Sequence, residues 1–198
     1  MGFEYTIAAR ETRYNGVVFR SRLEAKWAAF FDLLQWDWEY EPIDLDGWTP
    51  DFRLFGRVLV EVKPVSDFDH DAFRKALKHP ANHSPEDDEH RWGTKQHPAV
   101  LMLGSGIVLV KDEYGRQVFR LGWECEPSWP DGDSVYLMWE PSFRGWDYQS
   151  QITGYHGRRF NHQTGGRYPL EVEYLSMTLE TLWREAGNRT MHRYGNRA

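Results

Sequence analysis

A chain of 198 residues is enough for one ordinary domain with a real apolar core, and its net charge of −6 argues against gripping naked nucleic acid by charge alone. The single cysteine, Cys125, excludes an internal disulfide and makes a reducing cytoplasm the expected home. The opening MGFEYTIAARETRYNG lacks the apolar stretch of a signal peptide, and no run approaches the roughly 20 apolar residues of a membrane span.

The first element is a helix. Ser21 is a favourable N-cap, Glu24 three residues on completes a capping-box pattern, and Leu23, Trp27, Phe30, Phe31 and Leu34 follow at helical spacing. Trp36 to Tyr40 alternates aromatic with acidic residues, which is strand periodicity, and Pro42 ends it. Thr49–Phe55 and Val58–Lys63 are expected as two strands around a tight turn at Gly56-Arg57, with Pro64 stopping the second. A short second helix is expected over Asp69–Lys78. The polar stretch from His79 to Pro98, with the acidic run Glu86 to Glu89, is expected as an exposed loop. Its histidines, His79, His83, His90 and His97, are irregularly spaced and have no cysteine nearby, so a solvated loop is a better reading than a zinc site.

Ala99 to Leu103 is a continuous apolar run ending at Gly104, the mark of a strand buried on both faces. Ile107–Val110 and Gln117–Leu121 suggest a hairpin, Ser134–Trp139 a further strand, Gly145–Pro169 a loop, and Leu170–Glu185 a helix followed by a fraying end. From Gln151 onward the chain is mildly basic. Arg158, Arg159 and Arg167 lie among Tyr155, His156, Phe160 and Tyr168, the composition of a loop that faces nucleic acid or plain solvent. Aromatics make up 16% of the chain and include ten Trp, which suits core filling or stacking on unpaired bases. The order of elements implies an α/β fold with a mixed sheet of four or five strands flanked by helices, the first helix on one face and the second on the other.

The chemistry lies in the middle strands. In Val60-Glu61-Val62-Lys63 the valines share one side and Glu61 and Lys63 the other. Ionised groups removed from water cost several kcal/mol unless they are paired or ligate a metal. The tight turn brings Asp51 toward Glu61, giving two carboxylates and an ammonium in a small volume. Carboxylate oxygens, a backbone carbonyl and waters make a hard-oxygen site suited to Mg²⁺. Such an ion activates water and polarises a phosphoryl oxygen, while the Lys63 ammonium neutralises developing charge: the specification for phosphodiester hydrolysis. Glu24, beside the apolar face of its helix, either belongs to this site or only completes the capping box.

Pro50-Asp51 followed by Glu61-Val62-Lys63, with the acidic helix Ser21-Arg22-Leu23-Glu24 upstream, resembles the signature of the PD-(D/E)XK nuclease superfamily. The wider pattern, FRSRLEAKW, WEYEP, TPDF and VEVKP, is similar to small phage-encoded or mobile-element nucleases and to the catalytic domain of transposon end-cleaving subunits. The resemblance covers roughly Thr12 to Leu103. It implies a restriction-endonuclease-like core over residues 1–104. Residues 105–198 match nothing in that pattern and are expected as a C-terminal elaboration packed on the same domain, a candidate for substrate recognition. It also implies that Asp51, Glu61 and the carbonyl of Val62 ligate Mg²⁺ (or Mn²⁺), that Lys63 is the catalytic ammonium, and that Glu24 is an accessory acid acting directly or through water. The implied activity is a metal-dependent endonuclease acting on DNA, alone or as a homodimer. Lys95, Gln96, Arg158, Arg159 and Arg167 are candidate nucleic-acid contacts. The acidic charge points to the rival reading, an assembly subunit or binding module that relies on a partner protein to engage DNA.

Overall fold

A computed structural model describes residues 10–45, 47–56, 58–71, 100–112, 115, 117–126, 129–140, 145–150 and 172–191. The chain enters through a hairpin that the sequence reading did not anticipate, β1 (Thr12–Tyr14) and β2 (Val17–Phe19). Its turn is Asn15-Gly16, both at positive φ (45° and 81°), as the primed hairpin turns require. Phe19 at its end is fully buried against Tyr40 and Trp38. That anchor sets where the next residues, Arg20 and Ser21, lead into the first helix.

Helix α1 (Arg22–Leu34) starts at the expected cap. Ser21 is extended (φ −134°, ψ 158°), and its hydroxyl accepts from the Glu24 N–H at 3.1 Å. The helix ends with Gln35 in the left-handed region (φ 58°). There the N–H groups of Gln35 and Trp36 close on the carbonyls of Asp32 and Phe31, and Trp36 stacks on Phe31 at 5.8 Å.

Among the described residues the sheet is mixed, as expected, but has seven strands rather than four or five, in the order β3-β4-β5-β6-β7-β8-β9. β3 (Trp38–Tyr40), β4 (Phe52–Leu54) and β5 (Val58–Val62) form an antiparallel meander. The β4–β5 turn runs through Phe55 and Gly56, both at positive φ (52° and 70°). Parallel pairing of β5 with β6 (Val100–Lys111) sets Glu61 beside Met102. From β6 the sheet continues antiparallel through β7 (Gln117–Glu126), β8 (Trp129–Glu140) and β9 (Gly145–Ser150).

Two expectations are corrected in this half. The apolar run to Leu103 and the segment Ile107–Val110 are one strand, β6, whose register against β7 shifts between Leu103 and Val108. The irregularity falls between Leu103 and Val108, a stretch that opens on Gly104, so Gly104 marks an interruption inside a strand and not its end. Close approach explains the glycines. A Cβ on Gly104 would lie 2.6 Å from the Val65 carbonyl oxygen, and one on Gly106 would lie 2.9 Å from the Trp183 indole nitrogen. The second correction is at Gly145–Ser150, a strand paired with β8 where a loop was expected; its glycine and aromatic content masked a ladder set by the neighbouring strand.

The C-terminal helix α2 (Val172–Arg189) runs four residues beyond the expected Glu185. It packs on α1, with Trp183 at 4.5 Å from Trp27 and 5.2 Å from Phe30. The second helix expected over Asp69–Lys78 is helical at His70 and Asp71, and its remainder lies outside the described residues. So do Lys95, Gln96, Arg158, Arg159 and Arg167, the acidic run and the four loop histidines. Among the described residues no helix is long and apolar enough to cross a membrane.

The large apolar cluster lies between α1, α2 and one side of the sheet, and includes Trp27, Phe30, Phe31, Phe52, Val60, Val62 and Leu101. A smaller one, Trp48, Val100, Met102 and Trp123, occupies the other side.

Candidate active site

Each candidate side chain is placed by a local rule. Strand alternation on β5 sends Val58, Val60 and Val62 into the large cluster and leaves Glu61 on the side of Trp48 and Met102. The Lys63 N–H still reaches the Leu103 carbonyl at 2.9 Å before Pro64 ends the pairing. The tight β4–β5 turn returns the chain so that the Val62 N–H donates to Asp51 Oδ2 at 2.7 Å. The first turn of α1 delivers Glu24. The result is one cleft of about 710 Å³ lined by Glu24, Asp51, Glu61, Val62 and Lys63, together with Arg20 and Trp48. The four residues singled out from sequence therefore share one cavity, and Val62, assigned through its carbonyl, lines it too.

All three carboxylates are buried, with 7% (Glu24), 4% (Asp51) and 9% (Glu61) of their surface exposed, and each oxygen accepts a hydrogen bond from the protein. Asp51 Oδ1 accepts from the Arg20 guanidinium at 2.8 Å, while Oδ2 holds the Val62 amide. Glu61 Oε1 accepts from Lys63 Nζ at 2.5 Å and Oε2 from the Trp48 indole N–H at 3.0 Å. Glu24 Oε1 accepts from the Ser21 hydroxyl at 2.7 Å and Oε2 from the Tyr40 hydroxyl at 2.6 Å. Both features between which the sequence could not choose, a capping contact with Ser21 and a place at the cleft, are present at Glu24. Its amide takes the Ser21 cap while its carboxylate faces the cleft.

The electrostatics follow from burial. Desolvation, then the charge of Glu61, then that of Glu24 push Asp51 from 3.8 up to about 7, against the Val62 N–H and Lys63, which pull it down. Burial and the bond to Glu24 raise the Tyr40 hydroxyl well above its ordinary range, so it stays a donor. Among the described residues no three His, Cys, Asp or Glu side chains gather tightly enough to form a ready-made metal cluster. The donor set nevertheless suits a hard divalent cation held by two carboxylates and completed by water, because a cation would relieve the repulsion that raises Asp51.

Three site residues escaped the sequence reading: Arg20, Tyr40 and Trp48. Tyr40 was placed on its strand, but no local signal ties it to Glu24, 16 positions away. Arg20 was legible only as part of the FRSRLE pattern, and Trp48 follows Gly47 in a stretch with no periodicity. No family model, curated protein or solved structure matches the chain.

Proposed function

We propose that this protein is a divalent-metal-dependent nuclease that hydrolyses phosphodiester bonds, with DNA as substrate, and that its core has the restriction-endonuclease-like arrangement. The observation that carries the reading is the shared cleft. Glu24, Asp51 and Glu61 are buried around it beside a Lys63 ammonium whose side chain is 36% exposed. Burying three carboxylates is expensive, and function is a sufficient reason for it.

Asp51 and Glu61 would hold Mg²⁺ or Mn²⁺, with the Val62 carbonyl as a further oxygen. Bound there, the ion supplies the positive charge that acidifies water and polarises a phosphoryl oxygen. The chain's own groups do the rest. The Val62 amide and Arg20 orient Asp51, and the Trp48 indole orients Glu61. Lys63 is partly exposed to the cleft, where its ammonium can orient a water and neutralise charge developing on phosphate. Glu24, held by Ser21 and Tyr40, is placed to accept a proton or hold a water.

The test is nicking of supercoiled plasmid in Mg²⁺ or Mn²⁺. Wild type should cleave, and Glu61→Gln and Lys63→Met should each lose about a hundredfold or more. Undiminished cleavage by either variant would reject the site assignment. The net charge of −6 favours a second reading, a subunit that reaches DNA through a partner protein. A stable co-purifying protein, with no cleavage of any DNA or RNA substrate, would select it.

A further inference from the structure

Arg20 is the cation the proposed mechanism uses least, and its surroundings give it a role of its own. Its main chain is tied down, since its N–H donates to the Tyr40 hydroxyl at 3.0 Å. Its side chain is 57% exposed and spans two carboxylates, with Nη2 on Asp51 Oδ1 and Nε on Glu41 Oε1, both at 2.8 Å. Those anchors differ. Asp51 belongs to the cleft, with 6% of its side chain exposed; Glu41 is 36% exposed and is absent from the cleft lining.

The two oxygens of Asp51 are not equivalent either. Oδ2 is held by the main-chain amide of Val62, which a sheet strand fixes in place. Oδ1 is held by a side chain on an exposed stem. A divalent cation taking Asp51 as a ligand approaches most readily at the oxygen whose partner can yield, because two cations crowding one buried oxygen repel each other strongly. We propose that Arg20 is a resident counter-ion of the cleft: it competes with the divalent cation for Asp51 Oδ1 and, once displaced, binds a substrate phosphate. Glu41 keeps the released guanidinium near the cleft mouth, and a planar guanidinium suits bidentate phosphate recognition. Ion binding and phosphate binding thereby become coupled through one side chain.

The inference rests on the reading that Asp51 and Glu61 hold a divalent ion, and the experiment separates the two. Mn²⁺ binding is measured by calorimetry on wild type, Arg20→Met and Arg20→Gln, with Arg22→Met as a control. Arg22 is also a cation at the start of α1, but it lines a separate groove with Leu23 and Lys26. Both Arg20 variants should bind Mn²⁺ about fivefold more tightly than wild type, with the control unchanged. Unchanged or weaker binding would mean that Arg20 only orients Asp51, and would overturn the proposal. In a second arm, a labelled duplex oligonucleotide is titrated by anisotropy with and without Ca²⁺. Arg20→Met should lose about tenfold in affinity with Ca²⁺ and little without it. An equal loss in both conditions would overturn displacement. Failure of wild type and every variant to bind Mn²⁺ would instead reject the metal site itself.

Discussion

The two sides of strand β5 solve the problem of burial in opposite ways. On one side Val58, Val60 and Val62 join a large apolar cluster under α1. On the other, Glu61 stands next to Met102 in a smaller cluster, its carboxylate held by Trp48 and Lys63. One residue of alternation separates a surface that stabilises from one that costs stability. Side chains on the first side should therefore matter to folding and those on the second to chemistry, and substitutions on each can test that division.

The largest effect should come from the apolar side. Phe52 is fully buried against Phe31, Trp38 and Tyr40, so Phe52→Ala should destabilise by about 3–5 kcal/mol in urea denaturation. A loss below ~1 kcal/mol would show that the cluster is not the main support of the sheet.

Asp51→Asn should act with the opposite sign. The folded protein holds the Asp51 proton more tightly than the unfolded chain does, with a folded value of about 7 against 3.8. This group's contribution is therefore intact below about pH 3.8 and is lost as the pH rises toward 7. An asparagine never pays the ionisation penalty, and the Arg20 pairing offsets part of it in wild type. The variant should thus be more stable than wild type at pH 8 by on the order of 2 kcal/mol, with the difference vanishing near pH 4. Equal melting curves at both pH values would show that Asp51 is fully compensated.

Trp48→Phe keeps an aromatic ring, though a smaller one, and removes the donor to Glu61 Oε2. It should cost about 1 kcal/mol of stability and impair cleavage more than folding. The smallest effect belongs to Arg53→Ala. Arg53 bonds Glu39 across β3 and β4, but both side chains are substantially exposed (32% and 51%), so the loss should stay within about 0.5 kcal/mol. A larger cost would show that the exposed side of β3 and β4, opposite Phe52 and Leu54, also carries stability.

What was legible in the sequence divides along similar lines. Helix α1, its cap and the β4–β5 turn were readable because each is set by neighbours in sequence: a serine before an amphipathic repeat, a glycine between two alternating runs. The grouping of Asp51, Glu61 and Lys63 was readable because alternation and a short turn constrain it, whereas Glu24 joins them from the first turn of α1, which neither rule reaches. The β1–β2 hairpin has a local turn signal in Asn15-Gly16, but its strands of three residues each are too short to show a periodicity. β6 and β9 were misjudged for a different reason. A glycine bulge inside a strand and a glycine-led edge strand look like interruptions until the partner strand is known. Arg20, Tyr40 and Trp48 were hidden because their partners are 13 to 31 positions distant, and no periodicity spans that gap.

The bond between Trp48 and Glu61 has a practical side. An indole whose N–H points at a carboxylate emits at a wavelength that depends on that charge, so the cleft carries its own optical probe. Subtracting the spectrum of a Trp48→Phe protein from that of wild type isolates this ring from the rest of the ten tryptophans. Whatever arrives beside Glu61, whether proton, metal or phosphate, should then announce itself as a colour shift without any attached dye.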